Sequence, residues 1–204
     1  MSSNSLLAFA LGVALTAAAL PVAAPRAQDQ GMPEDMKKMF EQAKKFTEPG
    51  EMHKKLAAFI GKWDCTTSMF MAPDAPPMTS KSKAEIRWLL EGRVLQQEQE
   101  GELMGMRLHS FDFTGYDNFK QAFVKAHVDS MNTYLLTAQG LLAQDGKTMI
   151  FYGTLDEYLT GENDKMVKSV YRWQDADHFT YEVHDLAIGE EHTKVFEISY
   201  SRAK

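Results

Sequence analysis

Cysteine is nearly absent from this chain: Cys65 is the only one in 204 residues. No disulfide can form within it, which excludes a small cross-linked scaffold. A lone thiol of this kind is expected to pack as a small hydrophobe. Basic residues are outnumbered, 22 Lys and Arg against 28 Asp and Glu, for a net charge of −6. They are not gathered into a patch, which argues against nucleic acids and anionic membrane surfaces as partners. Catalytic signatures are missing too: there is no G-x-S-x-G elbow, no Cys–His signature and no glycine-rich phosphate loop. The six histidines, at positions 53, 109, 127, 178, 184 and 192, include no pair at a helical or H-x-H ligand spacing. No catalytic residue and no cofactor is expected on these grounds.

The chain does have one long apolar run, residues 6–24, built from Leu, Ala, Val and one Phe with a few small residues. It reads as an export signal, although residues 1–5 carry no Lys or Arg and only the amino terminus supplies positive charge. Cleavage after Ala24 or after Ala27 fits, and Ala27 is taken as the boundary. The alternative is an uncleaved anchor, since the run approaches the ~20 residues that span a bilayer. No Cys follows it, so a lipid-anchored precursor is not expected. Removing residues 1–27 leaves 177 and takes away one charge, Arg26, so the net charge becomes −7. The expected destination is the periplasm or the medium of a bacterium. The remainder suffices for one domain with a sizeable core.

Residues 28–60 have a helical pattern. Met32, Met36, Met39, Phe40, Ala43 and Phe46 recur at three- and four-residue spacing, with acids leading and lysines trailing. Pro49-Gly50 breaks this helix, and Met52, Leu56, Phe59 and Ile60 mark a second, shorter one before Gly61. In a barrel such a helix covers one open end, or the first helix forms a loose arm. From residue 61 the period switches to two, predicting ten strands at about 62–71, 79–90, 93–100, 107–115, 119–128, 133–142, 148–156, 165–174, 178–186 and 192–202. Turn signals separate them at Glu91-Gly92, Asp117-Asn118, Asp145-Gly146, Asp175-Ala176-Asp177 and Ile188-Gly189-Glu190. Consecutive hairpins make an up-and-down meander, and a meander with one apolar face gains by closing, because closure removes both edges. The fold expected is a closed all-β antiparallel barrel of about ten strands with an N-terminal helical cap. Gly61 allows a sharp turn under its floor, Trp63 plugs the taper, and Arg202, arriving on the adjacent last strand, lays its guanidinium on that indole. Residues 1–27, 28–60 and 61–204 are thus read as signal, helical arm and cap, and barrel.

Several phrases occur in a recognisable order: His53-Lys54-Lys55-Leu56 leading into Gly61-Lys62-Trp63, Ala84-Glu85-Ile86-Arg87-Trp88-Leu89-Leu90-Glu91-Gly92-Arg93, Gly115-Tyr116-Asp117-Asn118, Val128-Asp129-Ser130-Met131 and Ile198-Ser199-Tyr200-Ser201-Arg202. Together they resemble the family called domain of unknown function 1579, over about residues 52–202. The resemblance implies a lipocalin-like, or calycin, barrel and export in bacteria; it implies no reaction. One departure is His127, where the family pattern leads one to expect an aromatic residue, commonly Trp.

The functional expectation is non-catalytic binding of a small apolar or amphipathic ligand in the cavity, since barrels of this width hold either side chains or one small molecule. Wall candidates are Trp88, Leu90, His109, Tyr116, Phe123, His127, Tyr181 and Tyr200, each with core packing as its plainer role. The alternative is a cell-envelope interaction module whose barrel is plugged by Phe and Met, with the Met-rich helix or the loop at 71–77 meeting a partner. A third is a haem or metal barrel, or an enzyme. For haem, His109 and His127 would meet across neighbouring strands, with Asp129 or Glu98 nearby. For copper, Met69/Met71 and Met104/Met106 offer soft thioethers. Glu182 and Glu197 are expected to face each other on adjacent strands, as surface carboxylates routinely do.

Overall fold

The computed structural model describes residues 32–71, 75–157, 160–185 and 194–204. The export segment read at 1–27, residues 72–74 of the proline-rich loop at 71–77 and the turn at 188–190 lie outside the described residues. Among the described residues no helix is long and apolar enough to cross a membrane. These residues divide after Phe40 into two units.

Helix α1 (Glu34–Thr47) begins with Glu34 and Asp35 and ends with Lys44 and Lys45, which suits the dipole at both ends. Its last turn is tied down within the second unit. Asn118 Nδ2 donates to the Glu48 carbonyl at 2.8 Å, and Phe119 meets Phe46 edge to face with centroids 5.5 Å apart. Pro49-Gly50 ends the helix, and α2 (Glu51–Leu56) starts immediately, followed by a single 3-10 turn, Ala57–Phe59. The Nδ1 of His53 accepts the Gly50 N–H at 3.0 Å and so caps α2. Leu56 and Phe59 are buried and pack into the aromatic core of the barrel.

Ten antiparallel strands follow: β1 (Gly61–Met69), β2 (Met78–Leu89), β3 (Val94–Leu103), β4 (Met106–Asp117), β5 (Ala122–Asp129), β6 (Leu136–Leu142), β7 (Thr148–Glu157), β8 (Glu162–Trp173), β9 (His178–Asp185) and β10 (Lys194–Arg202). Each pairs with its sequence neighbours, and β1 pairs with both β2 and β10, so the ring has no free edge. The expected barrel is therefore the one found. The largest boundary difference lies between β3 and β4, which run through 101–106 as a tight hairpin with φ positive at Met104 and Gly105. That is the two-residue geometry whose twist suits paired strands. Sequence alternation alone read those six residues as a longer gap.

Closure is made at the seam of β1 and β10. Trp63 stands opposite Arg202 in register, and the guanidinium carbon lies 4.2 Å from the indole centroid. Trp63 is 1% exposed, and its Nε1 donates to the Phe59 carbonyl at 2.8 Å. Arg202 also donates to the Ile60 carbonyl at 3.0 Å, to the Ala176 carbonyl at 2.8 Å and to Asp177 at 3.0 Å. Gly61 has φ +138°, and a Cβ there would run into Nη1 of Arg202. Only glycine lets the chain pass so close beneath the guanidinium.

The floor is aromatic. Phe59 lies 4.4 Å from Trp173 and 5.1 Å from Phe179 by ring centroids, Trp63 is 4.7 Å from Phe179, and Phe179 stacks on Tyr200 at 4.1 Å. Phe123, Met149 and Phe151 complete it, all fully buried. Cys65 is buried beside Trp63, and burial pushes its thiol up to about 12, so it packs as a hydrophobe.

Candidate functional site

Above this floor the barrel is not filled. A cavity of about 300 Å³ occupies its other half, bounded by inward residues of β1 and of β3 through β10 and by Met131, Asn132 and Tyr134 of the β5–β6 connection. Met69, Leu103, Leu108, Leu136, Leu155, Val167, Val183, Phe196 and Ile198 make its upper wall apolar.

Its lower wall carries a ring of charge. Residues two apart on a strand share a face, so Ser110 and Asp112 on β4, and Lys125, His127 and Asp129 on β5, all point inward. Cross-strand pairing sets Asp112 opposite His127 and Ser110 opposite Asp129. Lys125 Nζ lies 3.0 Å from Asp112 Oδ1 and donates to the Tyr171 hydroxyl at 2.7 Å. The same ammonium lies 4.1 Å from the Tyr181 ring centroid. His127 bridges the two acids, with Nδ1 3.2 Å from Asp112 Oδ1 and Nε2 3.1 Å from Asp129 Oδ2. Asp129 also accepts from Met131 N at 2.7 Å and from Asn132 Nδ2 at 3.0 Å, which ties the connection to the wall. Gln97 Nε2 donates to Tyr200 Oη at 3.2 Å and reaches Asp112 Oδ2 at 3.5 Å. Asp112 Oδ1 receives no well-angled hydrogen bond, so its two close contacts are ion pairs by proximity of charge.

Protonation follows from this geometry. Burial works against the Asp112 carboxylate, but Lys125 and His127 together outweigh it and hold the carboxyl well below its ordinary range. Burial likewise works against the Lys125 ammonium, and Asp112 and the tyrosines more than restore it. His127 is raised: burial opposes its charge, and Asp112 and Asp129 overcome that. The Asp129 carboxyl is lowered, because the hydrogen bonds from Asn132, Met131 and His127 exceed the effect of burial. Two cations and two anions thus compensate each other inside an apolar barrel, which is the condition under which buried charge is tolerated. Lys125 held charged is no nucleophile, and a His127 with both nitrogens engaged is no free base.

The candidate residues are distributed unevenly. His127, Tyr181 and Tyr200 line the cavity. Phe123 and Tyr116 are inward but belong to the floor, 4.9 Å apart by centroids, and Trp88 packs partly buried against the core. Leu90 is corrected: it is 71% exposed, because the β2–β3 turn (Leu90–Gly92) begins there with φ +48° and breaks the alternation. His109 is corrected as well. It lies on the outer face with its Nε2 3.0 Å from Glu98, because it stands three residues from inward Asp112, an odd spacing. His109 and His127 therefore occupy opposite faces, and the haem-ligating pair is not formed. Glu98, Glu100 and His109 come together on the outside, with all three partly solvated. Met69 faces the cavity, whereas Met71 is past the strand end and exposed. Glu182 and Glu197 do stand opposite each other, with Lys194 between them at 3.5 and 2.6 Å. The sequence reading overlooked Asp112 and Lys125; it set Leu95, Gln97 and Gln99 on one face of β3 without naming the two glutamines as wall candidates, and both line the cavity. Lys125 was the legible signal, a charged residue in phase with Phe123.

A closed ten-strand antiparallel meander with an aromatic floor and a cavity above it is a small up-and-down β-barrel. The chain belongs to the family described as Protein of unknown function (DUF1579), whose model matches residues 48–202. Among solved structures it resembles the crystal structure of Rv2717c from M. tuberculosis, with a TM-score of 0.53 and 12% identity, covering 77% of this chain and 100% of that one. That likeness concerns the fold. No curated protein matches the sequence.

Proposed function

We propose that this protein is an exported barrel that holds one small apolar or amphipathic molecule without transforming it. The observation that carries this reading is the cavity of about 300 Å³, closed below by the aromatic floor and walled above by aliphatic side chains. That volume is at the lower end of small-molecule sites, which run from roughly 300 to 1,000 Å³. A barrel serving only as an interaction module would gain stability by filling that space with side chains, since voids cost dispersion contacts. The charge ring supplies polar partners at one end of the cavity, which suits a ligand with a head and a tail. Export to the periplasm or medium is part of the proposal and rests on the apolar run at 6–24.

The test is mass spectrometry of solvent extracts from gently purified protein, together with uptake of the neutral fluorophore N-phenyl-1-naphthylamine. A recurrent small amphiphile at near-equal stoichiometry, or saturable uptake that the Val167→Phe substitution in the cavity wall abolishes, is the expected result. Clean extracts combined with no uptake of the fluorophore would overturn the reading.

A further inference from the structure

We infer that the cavity selects uncharged ligands, amphiphiles whose head is a hydroxyl or carbonyl rather than a carboxylate, phosphate or ammonium. This rests on the carrier reading and adds the class of ligand to it. The observation is an inventory of what the described residues leave available inside. Charged residues of the lining are Asp112, Lys125, His127 and Asp129, two of each sign. Every one of them is engaged with another: Lys125 with Asp112, and His127 with both Asp112 and Asp129. His127 must carry both protons, because each ring nitrogen faces a carboxylate that has none to give. The ring therefore sums to zero, and no cation is left over to receive an anionic head. A charged head entering this space would lose its water without gaining a counter-charge, which is the costly case.

The neutral groups are in the opposite state. Thr67, Ser110 and Ser169 line the cavity, each more than nine-tenths buried. Their hydroxyls are not among the enclosed polar atoms left without a partner, and as lining groups they give onto the cavity, within reach of a head group. Tyr200 Oη accepts from Gln97 and keeps its own proton to donate. Three serine or threonine hydroxyls and one phenol, with no net charge, match a head that both accepts and donates hydrogen bonds but is not ionised.

The experiment is competitive displacement of N-phenyl-1-naphthylamine from the whole protein near neutral pH by three ten-carbon compounds: decanol, decanoate and decylammonium. Decanol is expected to displace at least about tenfold more tightly than either ion, the ratio that about 1.4 kcal/mol of unpaired charge produces. Decanoate or decylammonium equal to or better than decanol would overturn the inference while leaving the carrier reading in place. Failure of the fluorophore to bind, together with clean solvent extracts, would remove both; where the extracts hold a recurrent amphiphile instead, an ionised head on it would overturn the inference alone. Asp112→Asn strands Lys125 in the interior and risks the fold, so the variant used is Asp129→Asn, at the edge of the ring. It leaves one positive charge in excess, and relative affinity for decanoate over decanol should rise about tenfold with the circular dichroism spectrum unchanged. A folded Asp129→Asn variant with unaltered preference would also count against the inference.

Discussion

The two partly similar indoles of the floor separate what aromatic bulk does from what connection does. Trp63 is fully enclosed, donates to Phe59, and carries the Arg202 guanidinium on its face. Trp173 is only partly buried, and its Nε1 is enclosed without a partner. An orphaned buried donor offsets part of what its ring contributes by packing. Trp63→Ala is therefore expected to cost about 3–5 kcal/mol, with an additional ~0.5–2 kcal/mol for the lost cation–π contact. Trp173→Ala should cost less than half as much, and urea unfolding of the two variants measures it. Equal losses would show that closure at Trp63 and Arg202 contributes nothing special. This pair was readable from the chain because barrel closure obliges first and last strands to meet. Leu90 and His109 were not, since a turn residue with positive φ and an odd spacing both shift the face on which a side chain emerges.

Secondary-structure elements were legible where one face was plainly apolar, as with Ala84 and Ile86 on β2. On β4 the rule misleads. Its inward residues are Leu108, Ser110, Asp112, Thr114 and Tyr116, while Phe111 and Phe113 face out and are only half-buried. Two phenylalanines fall on the outward row and an aspartate on the inward one, so the charge ring could be located only through the registers with β3 and β5. Two histidines now fix elements to this barrel with opposite dependence on pH. His127 ties β5 and its following connection to Asp112 and Asp129, and its pKa is raised. Its contribution is fully present below the unfolded value of about 6.5 and is lost as pH rises through the higher folded value. His53 caps α2 as a neutral acceptor and packs against Tyr116, and burial lowers its pKa. Its contribution is present above about 6.5 and is lost as pH falls through the lower folded value. His127→Gln should therefore cost more at a pH of about 5.5 than at about 8.5, and His53→Gln should do the reverse, each by on the order of 1 kcal/mol. Denaturant titrations at both pH values check the two signs independently.

Taken as a whole molecule, the barrel keeps its stability and its cavity at different ends. The floor joins α2, the 3-10 turn and the seam of β1 and β10 through stacked rings, with a void of about 20 Å³ beside Phe59, Met149 and Phe151. The upper half is walled by aliphatic side chains around open space. An end with so little free space cannot take a larger side chain cheaply, whereas a wall beside a 300 Å³ cavity can accept one without displacing neighbours. Val167 lies on that wall and Phe179 in the floor. Val167→Phe is expected to change unfolding free energy by less than about 1 kcal/mol and to abolish uptake of N-phenyl-1-naphthylamine. Phe179→Ala is expected to lose about 3–5 kcal/mol, because its ring touches Trp63, Phe59 and Tyr200 at once. At a temperature where Phe179→Ala remains folded, its uptake should persist, since the ring lies below the cavity lining. If instead Val167→Phe destabilised the protein by several kcal/mol while leaving uptake intact, the division into a structural floor and a binding half would be wrong, and the carrier proposal would lose its site.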